Sequence, residues 1–202
     1  ISDEFNLPLL RYCYHRPLRA FRNILGHASL RSPETAHILN RVRCGYIYST
    51  TPNAMCWDSQ GDHVIGVTSG LVQLFLAWTA YLLSMPQFMT NIKGSDEEEA
   101  CDLDFVRAGF DIDRLLCNVD EDIAAYTMPR VPKSHHRRGV VYMMSNMAIL
   151  TVFLHELGHV LLAHQRFIET HCGGSVVKEV GHDSNGVDDM TNLLHAFELL
   201  AD

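Results

Sequence analysis

The sequence predicts an α+β fold that is mainly helical, with a small antiparallel sheet packed over one central helix. The first observation is a long, largely apolar stretch at helical spacing, with no proline between residues 139 and 202. The second is a pair of segments, 52–57 and 63–68, on either side of turn-forming residues, which predict a hairpin. At 202 residues, 47% apolar and 20% charged, residues 1–202 are expected to form one globular domain.

Charge, cysteine usage and hydropathy limit the class of protein. A net charge of −8 argues against nucleic acid as the main partner. The six cysteines are scattered without a C-x-x-C pair, which is typical of reduced thiols in the cytoplasm. The apolar stretches 71–85 and 140–154 are short for a membrane span or carry polar residues, so membrane association is the less favoured location.

The N-terminal part predicts two helices followed by a strand. Helix is expected over residues 7–25, kinked or divided at Pro17. Residues 32–34 (Ser-Pro-Glu) have the composition of a helix start, and this second helix is expected to run to about Cys44. Residues 46–50 are rich in β-forming residues and predict a strand.

Two charged segments lie between the hairpin and the central helix. Residues 95–98 (Ser-Asp-Glu-Glu) match a capping box, which predicts an acidic-faced helix towards Cys117 with its acids in solvent. Residues 129–139 are basic and punctuated by proline. We interpret them as a solvated connector rather than a binding surface for an acidic partner.

The central helix contains the sequence His-Glu-Leu-Gly-His at residues 155–159. Residues four apart on an α-helix are turned by only about 40°, so His155 and His159 project from one face and can chelate one ion. Glu156 lies about 100° round from His155, where a general base acting on metal-bound water belongs. A catalytic zinc site needs three protein ligands and an open position for water, so one further ligand is required.

The known pattern with a third histidine, H-E-x-x-H-x-x-G-x-x-H, does not continue in this chain. Its glycine position is Leu162 and its histidine position is Gln165. His164 lies about 180° round the helix from His155 and points away from the site.

The C-terminal segment 188–202 offers a better ligand, because it predicts an acid-capped helix with apolar residues at helical spacing. Glu198 and Asp202 share a face of that helix. A carboxylate can complete a set of two histidines and one glutamate, and a second can orient a ligand histidine. His195, one turn before Glu198, is the competing ligand.

These residues resemble the gluzincin metallopeptidases, in which H-E-x-x-H is followed by E-x-x-x-D on a later helix. Residues 198–202 are similar to the E-x-x-A-D form of the HtpX-like branch, which includes minigluzincin-type proteins. The resemblance implies a zincin-like fold and a Zn²⁺ ion held by His155, His159 and Glu198. It also implies that Asp202 is the hydrogen-bonding partner of His155.

The hairpin carries a second resemblance. Residues 52–54 (Pro-Asn-Ala), and a later strand that ends in Thr-Ser-Gly-Leu at 68–71, are similar to the gluzincin segment that lies over the zinc helix. In that family the strand pairs with extended substrate, which implies that the backbone of 63–68 docks a peptide as an added strand. The implied substrate-binding residues are His63, Val64, Ile65, Gly66, Val67 and Thr68.

The chain departs from the HtpX-like pattern between these islands, because about eighty residues separate Val72 from His155. A gap of this length is more similar to the Lit-like phage-exclusion peptidases. The chain also begins without methionine and stops inside a predicted helix, so we expect a fragment that is incomplete at the C-terminus.

The resemblance implies a zinc-dependent peptidase that hydrolyses peptide bonds in an extended protein or peptide, with zinc-bound water activated by Glu156. One alternative is a non-catalytic, zinc-containing module that binds a peptide without cleaving it. Another is a peptidase attached to a membrane by flanking segments. A donor to the oxyanion is expected, and the sequence does not identify it. Substrate identity and oligomeric state are also open.

Overall fold

The computed structural model describes residues 7–98, 131–163 and 177–178. In chain order it contains helices α1 (Leu7–Arg31) and α2 (Pro33–Leu39), strands β1 (Val42–Ile47), β2 (Ala54–Ser59) and β3 (Asp62–Thr68), helix α3 (Ser69–Leu83), a 3₁₀ turn (Ser95–Glu97), helix α4 (His135–Leu161) and strand β4 (Val177–Lys178). The predicted α+β class and the predominance of helix are confirmed.

The sheet is mixed, whereas the sequence analysis predicted an antiparallel sheet. Its strand order is β1-β3-β2-β4, with β1 parallel to β3, and β2 antiparallel to both β3 and β4. The predicted hairpin is the β2–β3 pair. At its tip Gln60 and Gly61 both have positive φ, +50° and +88°, as a two-residue hairpin turn requires.

Strand β3 is central in the sheet, and this corrects the predicted mode of substrate binding. It pairs with β1 on one edge and with β2 on the other along its whole length. Because both edges of its backbone are paired, β3 cannot accept a further strand. This excludes the added-strand mode for the six residues predicted to use it: His63, Val64, Ile65, Gly66, Val67 and Thr68.

Helix α4 packs against α1, α3, β2 and β3, so the sheet lies over the central helix as predicted. Phe153 stacks on Phe21 of α1, with ring centroids 5.2 Å apart, and meets Tyr46 of β1 edge-on at 5.6 Å. Aromatic pairs of this geometry are directional. They therefore fix the rotation of α4 about its own axis and the direction in which residues 155–159 project.

Within the described part of the chain, α4 is the one helix long and apolar enough to cross a membrane. The core helix of a soluble protein meets the same criteria, and buried residues of α4 include Ser145, Glu156 and His159. This property therefore does not by itself assign a location.

Two predicted boundaries differ because of tertiary contacts. α1 continues through Pro17, whose ring is fully buried one turn before the buried Phe21, so packing offsets the lost backbone hydrogen bond. α2 ends at Leu39 rather than near Cys44. Residues 42–47 pair with β3 instead, and the strand therefore begins earlier than the predicted 46–50.

The two charged segments that were expected in solvent meet in a buried junction. Residues 95–97 form only a 3₁₀ turn, and Glu98 has an extended backbone, so the predicted helix does not run through it. Its side chain is 2% exposed, and its carboxylate accepts hydrogen bonds from the amides of Lys133 and Ser134, each at 3.0 Å. Glu98 therefore caps the start of α4, where a negative charge is favourable.

Arg137, predicted in the solvated connector, is completely buried. Its guanidinium group donates to four carbonyl oxygens at the end of α3 and in the loop that follows, and its Nε lies 4.0 Å from Glu98 Oε1. The acceptors are the carbonyls of Leu83, Met85, Phe88 and Met89, at 2.6–3.3 Å. Arg137 thus joins α4 to the C-terminal end of α3, where backbone carbonyls need donors.

We predict that Arg137→Met lowers the free energy of unfolding by about 3–5 kcal/mol, because it leaves a buried carboxylate and several carbonyls without their cation. Arg138→Met is the matched control. Arg138 is exposed and makes one hydrogen bond, to the Lys133 carbonyl, so its loss should cost less than about 0.5 kcal/mol. Chemical denaturation measures both, and equal losses would contradict the role given to Arg137.

The junction between β3 and α3 is held by the side chain of Thr68. Its Oγ1 accepts hydrogen bonds from the amides of Asn53, at 2.8 Å, and Leu71, at 3.3 Å, and donates to the carbonyl of Thr51 or Asn53. Two residues later, Gly70 lies so close to the backbone of the loop before β2 that a Cβ atom would not fit. The Pro-Asn-Ala and Thr-Ser-Gly-Leu segments therefore form one hydrogen-bonded unit.

We predict that Thr68→Val lowers the free energy of unfolding by about 1–3 kcal/mol, because the amides of Asn53 and Leu71 lose their acceptor. Thr151→Val makes the same chemical change on an exposed surface of α4, where the hydroxyl donates to the Met147 carbonyl of the same helix. It should change stability by less than about 0.5 kcal/mol. Thermal or denaturant unfolding of the two variants provides the measurement. Equal losses would mean that the effect comes from replacing threonine by valine and not from the hydrogen bonds of Thr68.

Candidate metal centre

The side chains of His155 and His159 converge on one face of α4. Their Nε2 atoms lie 3.2 Å apart, with ring centroids separated by 4.9 Å and planes inclined at 83°. Two nitrogen ligands of a tetrahedral zinc ion, each about 2.0–2.1 Å from the metal, stand about 3.3 Å apart. The observed separation therefore fits joint coordination of one ion through both Nε2 atoms.

The three motif side chains differ in exposure. His159 and Glu156 are each only 1% exposed, whereas His155 is half-buried. Ionisable side chains are rarely this buried unless they have a polar or metal partner. A metal held here would have one histidine within the core and the other towards solvent, which leaves a direction for substrate to approach.

Glu156 follows His155 directly and projects from α4 about 100° away from it. Its side chain therefore leaves the helix on the same turn as His155 but in a different direction from the two imidazoles. From this position a carboxylate can exchange a proton with a water molecule that shares the ion. The helix that carries all three side chains is a rigid element of 27 residues, packed on several sides, so their relative positions are well defined.

The described residues include only part of the predicted zinc site. Across 7–98 and 131–163, no group of three or more histidine, cysteine or carboxylate side chains is placed to hold a metal. The predicted ligand Glu198, its predicted neighbour Asp202 and the competing His195 all lie outside the described residues, as does His164. The structure thus brings together two of the predicted ligands and the predicted base.

Asn53 is a candidate functional residue that sequence reasoning did not single out. Its side-chain Oδ1 is buried and accepts no hydrogen bond in the described structure, while its backbone amide bonds to Thr68. A buried acceptor left in this state costs about 1–3 kcal/mol, so it calls for an explanation such as a ligand. It directly precedes β2, which packs on α4, and the Pro-Asn-Ala resemblance was the available sequence signal.

Cys13 belongs to the apolar core, and Cys44 packs against it. Cys13 and Cys44 are free, and burial raises the pKa of the Cys13 thiol to about 11. Burial of Cys13 therefore disfavours its thiolate form.

Comparisons of this chain with protein-family models, with curated proteins and with solved structures found no match. The gluzincin resemblance therefore depends on the motif residues and on the geometry of the histidine pair.

We predict that the protein binds one zinc ion per chain, and that His155→Ala and His159→Ala each weaken binding by more than about 100-fold. His136→Ala is the matched control, because His136 is exposed in the first turn of the same helix. Metal analysis and titration calorimetry measure the effect. A wild-type chain that takes up no zinc would mean that the 3.2 Å contact is an N–H···N hydrogen bond between the two rings.

Proposed function

We propose that this protein is a zinc-dependent peptidase of the gluzincin type. The observation that carries the proposal is the 3.2 Å approach of the His155 and His159 Nε2 atoms, and the residue that follows His155 in the same helix is the buried Glu156. In this proposal Glu198 is the third zinc ligand, and Asp202 orients the ring of His155. Two histidines and a glutamate form a known catalytic donor set, which leaves a fourth position for water.

The chemistry divides between the ion and the chain. A bound zinc ion would lower the pKa of water towards neutrality and polarise the scissile carbonyl. Glu156 accepts a proton from the attacking water and later donates it to the leaving amine. Its burial favours this role, because bulk water does not compete for the carboxylate. His155 and His159 would hold a zinc ion on the part of α4 that also carries Glu156, since all three residues lie within two turns of the helix.

The proposed substrate is a protein or peptide in extended conformation. β3 is paired on both sides, whereas within the described residues the outer edge of β2 pairs only at Met55 and Cys56, with the short β4. The edge of β2 is therefore more available for backbone pairing than that of β3, and β2 lies in the sheet that packs on α4.

A single substitution tests the proposal. Glu156→Gln preserves the size of the side chain and removes its basicity, so the variant should retain zinc while peptide cleavage falls by about 10²–10⁴-fold. Cleavage of unfolded casein and of a quenched fluorescent peptide library provides the measurement. Glu34→Gln, on the exposed start of α2, is the control and should cleave at the wild-type rate.

Three outcomes separate the proposal from its alternative. Loss of cleavage on chelation and its recovery with zinc would support metal-dependent hydrolysis. Wild-type cleavage by Glu156→Gln would overturn the role of Glu156. A chain that binds zinc and peptide but cleaves none of the substrates would support the non-catalytic peptide-binding module instead.

A further inference from the structure

Helix α1 has a charge opposite to that of the whole chain. Its 25 residues include five arginines and no aspartate or glutamate, while the full sequence has a net charge of −8. The remainder of the chain is therefore more acidic still. The arginines of α1 are Arg11, Arg16, Arg19, Arg22 and Arg31.

One side of α1 is buried and the opposite side faces outward. Phe21 and Leu25 belong to the buried side, which packs against α4 and the sheet. On the outward side, Arg16, Arg19 and Leu30 lie within about 40° of one line along the helix. Arg16 and Arg19 make the N-terminal half of this face basic, and the helix that carries it is anchored in the core.

Large apolar side chains stand at both ends of this basic face. Leu30 is 82% exposed, and Tyr12 is 39% exposed with the Arg16 guanidinium 4.7 Å above its ring. The cation–π contact holds Arg16 in an ordered, outward position. A basic face with apolar side chains at its ends is the composition that a lipid headgroup region accepts, because phosphates meet the arginines while apolar groups enter the interface.

We propose that the outward face of α1 docks on an anionic membrane surface. The exposed outward residues run from Tyr12 to Leu30, about 27 Å along the helix, so the face is long enough to lie along a bilayer surface. Peptide recognition ordinarily uses a groove or a sheet edge, and a convex helix face is neither. Arginine, which is the only basic residue besides histidine in α1, pairs with phosphate through a planar fork of donors.

The expected binding is weak and reversible. Each basic residue near an anionic leaflet contributes about 1 kcal/mol, and salt screens the attraction over about 10 Å. The docking is therefore sensitive to ionic strength and to lipid charge. It does not depend on the metal centre, so vesicle binding and peptide cleavage can fail or succeed separately.

Vesicle flotation tests the proposal with the full chain. Vesicles of phosphatidylcholine with phosphatidylglycerol should bind the protein at low salt, and vesicles of phosphatidylcholine alone should not. Reversal of two charges on the outward face of α1, Arg16→Glu/Arg19→Glu, should weaken partitioning of the protein onto the vesicles by more than about tenfold. Leu30→Ser should weaken it severalfold at unchanged charge, which also covers the case in which the charge-reversed chain fails to fold.

The control is Lys93→Glu/Arg138→Glu, which makes the same change in net charge at exposed positions outside α1. It should retain at least half of the wild-type vesicle binding. An equal loss of vesicle binding in the control would mean that net charge alone determines binding, and it would contradict the assignment of α1 as the docking face. Equal binding to both vesicle types would also overturn it, as would retention on heparin or DNA without vesicle binding, which would assign the face to another polyanion.

Discussion

The placement of α4 is the constraint on which the rest of the structure depends. Near its N-terminal end the Arg137 guanidinium donates to carbonyls at the end of α3 and in the loop that follows. Several turns later Phe153 stacks on Phe21 of α1 and meets Tyr46 of β1 edge-on. Held at two points, the helix can neither slide nor rotate without breaking buried contacts. Residues 155–159 begin two positions after Phe153, so the direction in which they project is set by packing.

This rigidity accounts for the geometry of the histidine pair. Helical spacing brings His155 and His159 to one side, and the fixed helix holds their Nε2 atoms near the separation that one tetrahedral ion requires. The two histidine side chains would lose little conformational freedom on binding a metal ion, and this favours affinity. The packing of α4 also keeps Glu156 out of bulk solvent. The proposed base and the proposed ligands are therefore positioned by the same helix contacts.

Local signals predicted the elements well where packing reinforces them. The β2–β3 hairpin follows from its turn chemistry, and the helical 155–159 motif follows from its spacing. The exposure predicted from composition was wrong where a charged side chain pairs with a residue far away in the sequence. Glu98 and Arg137 read as solvated residues, yet they meet across a gap of 39 positions and are buried. The sequence around Glu98 does not predict a contact with Arg137, and the sequence around Arg137 does not predict one with Glu98.

The sequence by itself determined the helical spacing of the two histidines, the adjacent glutamate and the hairpin, because each depends on neighbours within a few residues. Only the tertiary structure decided that β1 joins β3 in parallel, so that the strand predicted to receive substrate is enclosed on both edges. It also decided which charges are buried. Strand order and burial depend on contacts between distant parts of the chain, and the free energy of those contacts outweighs local preference.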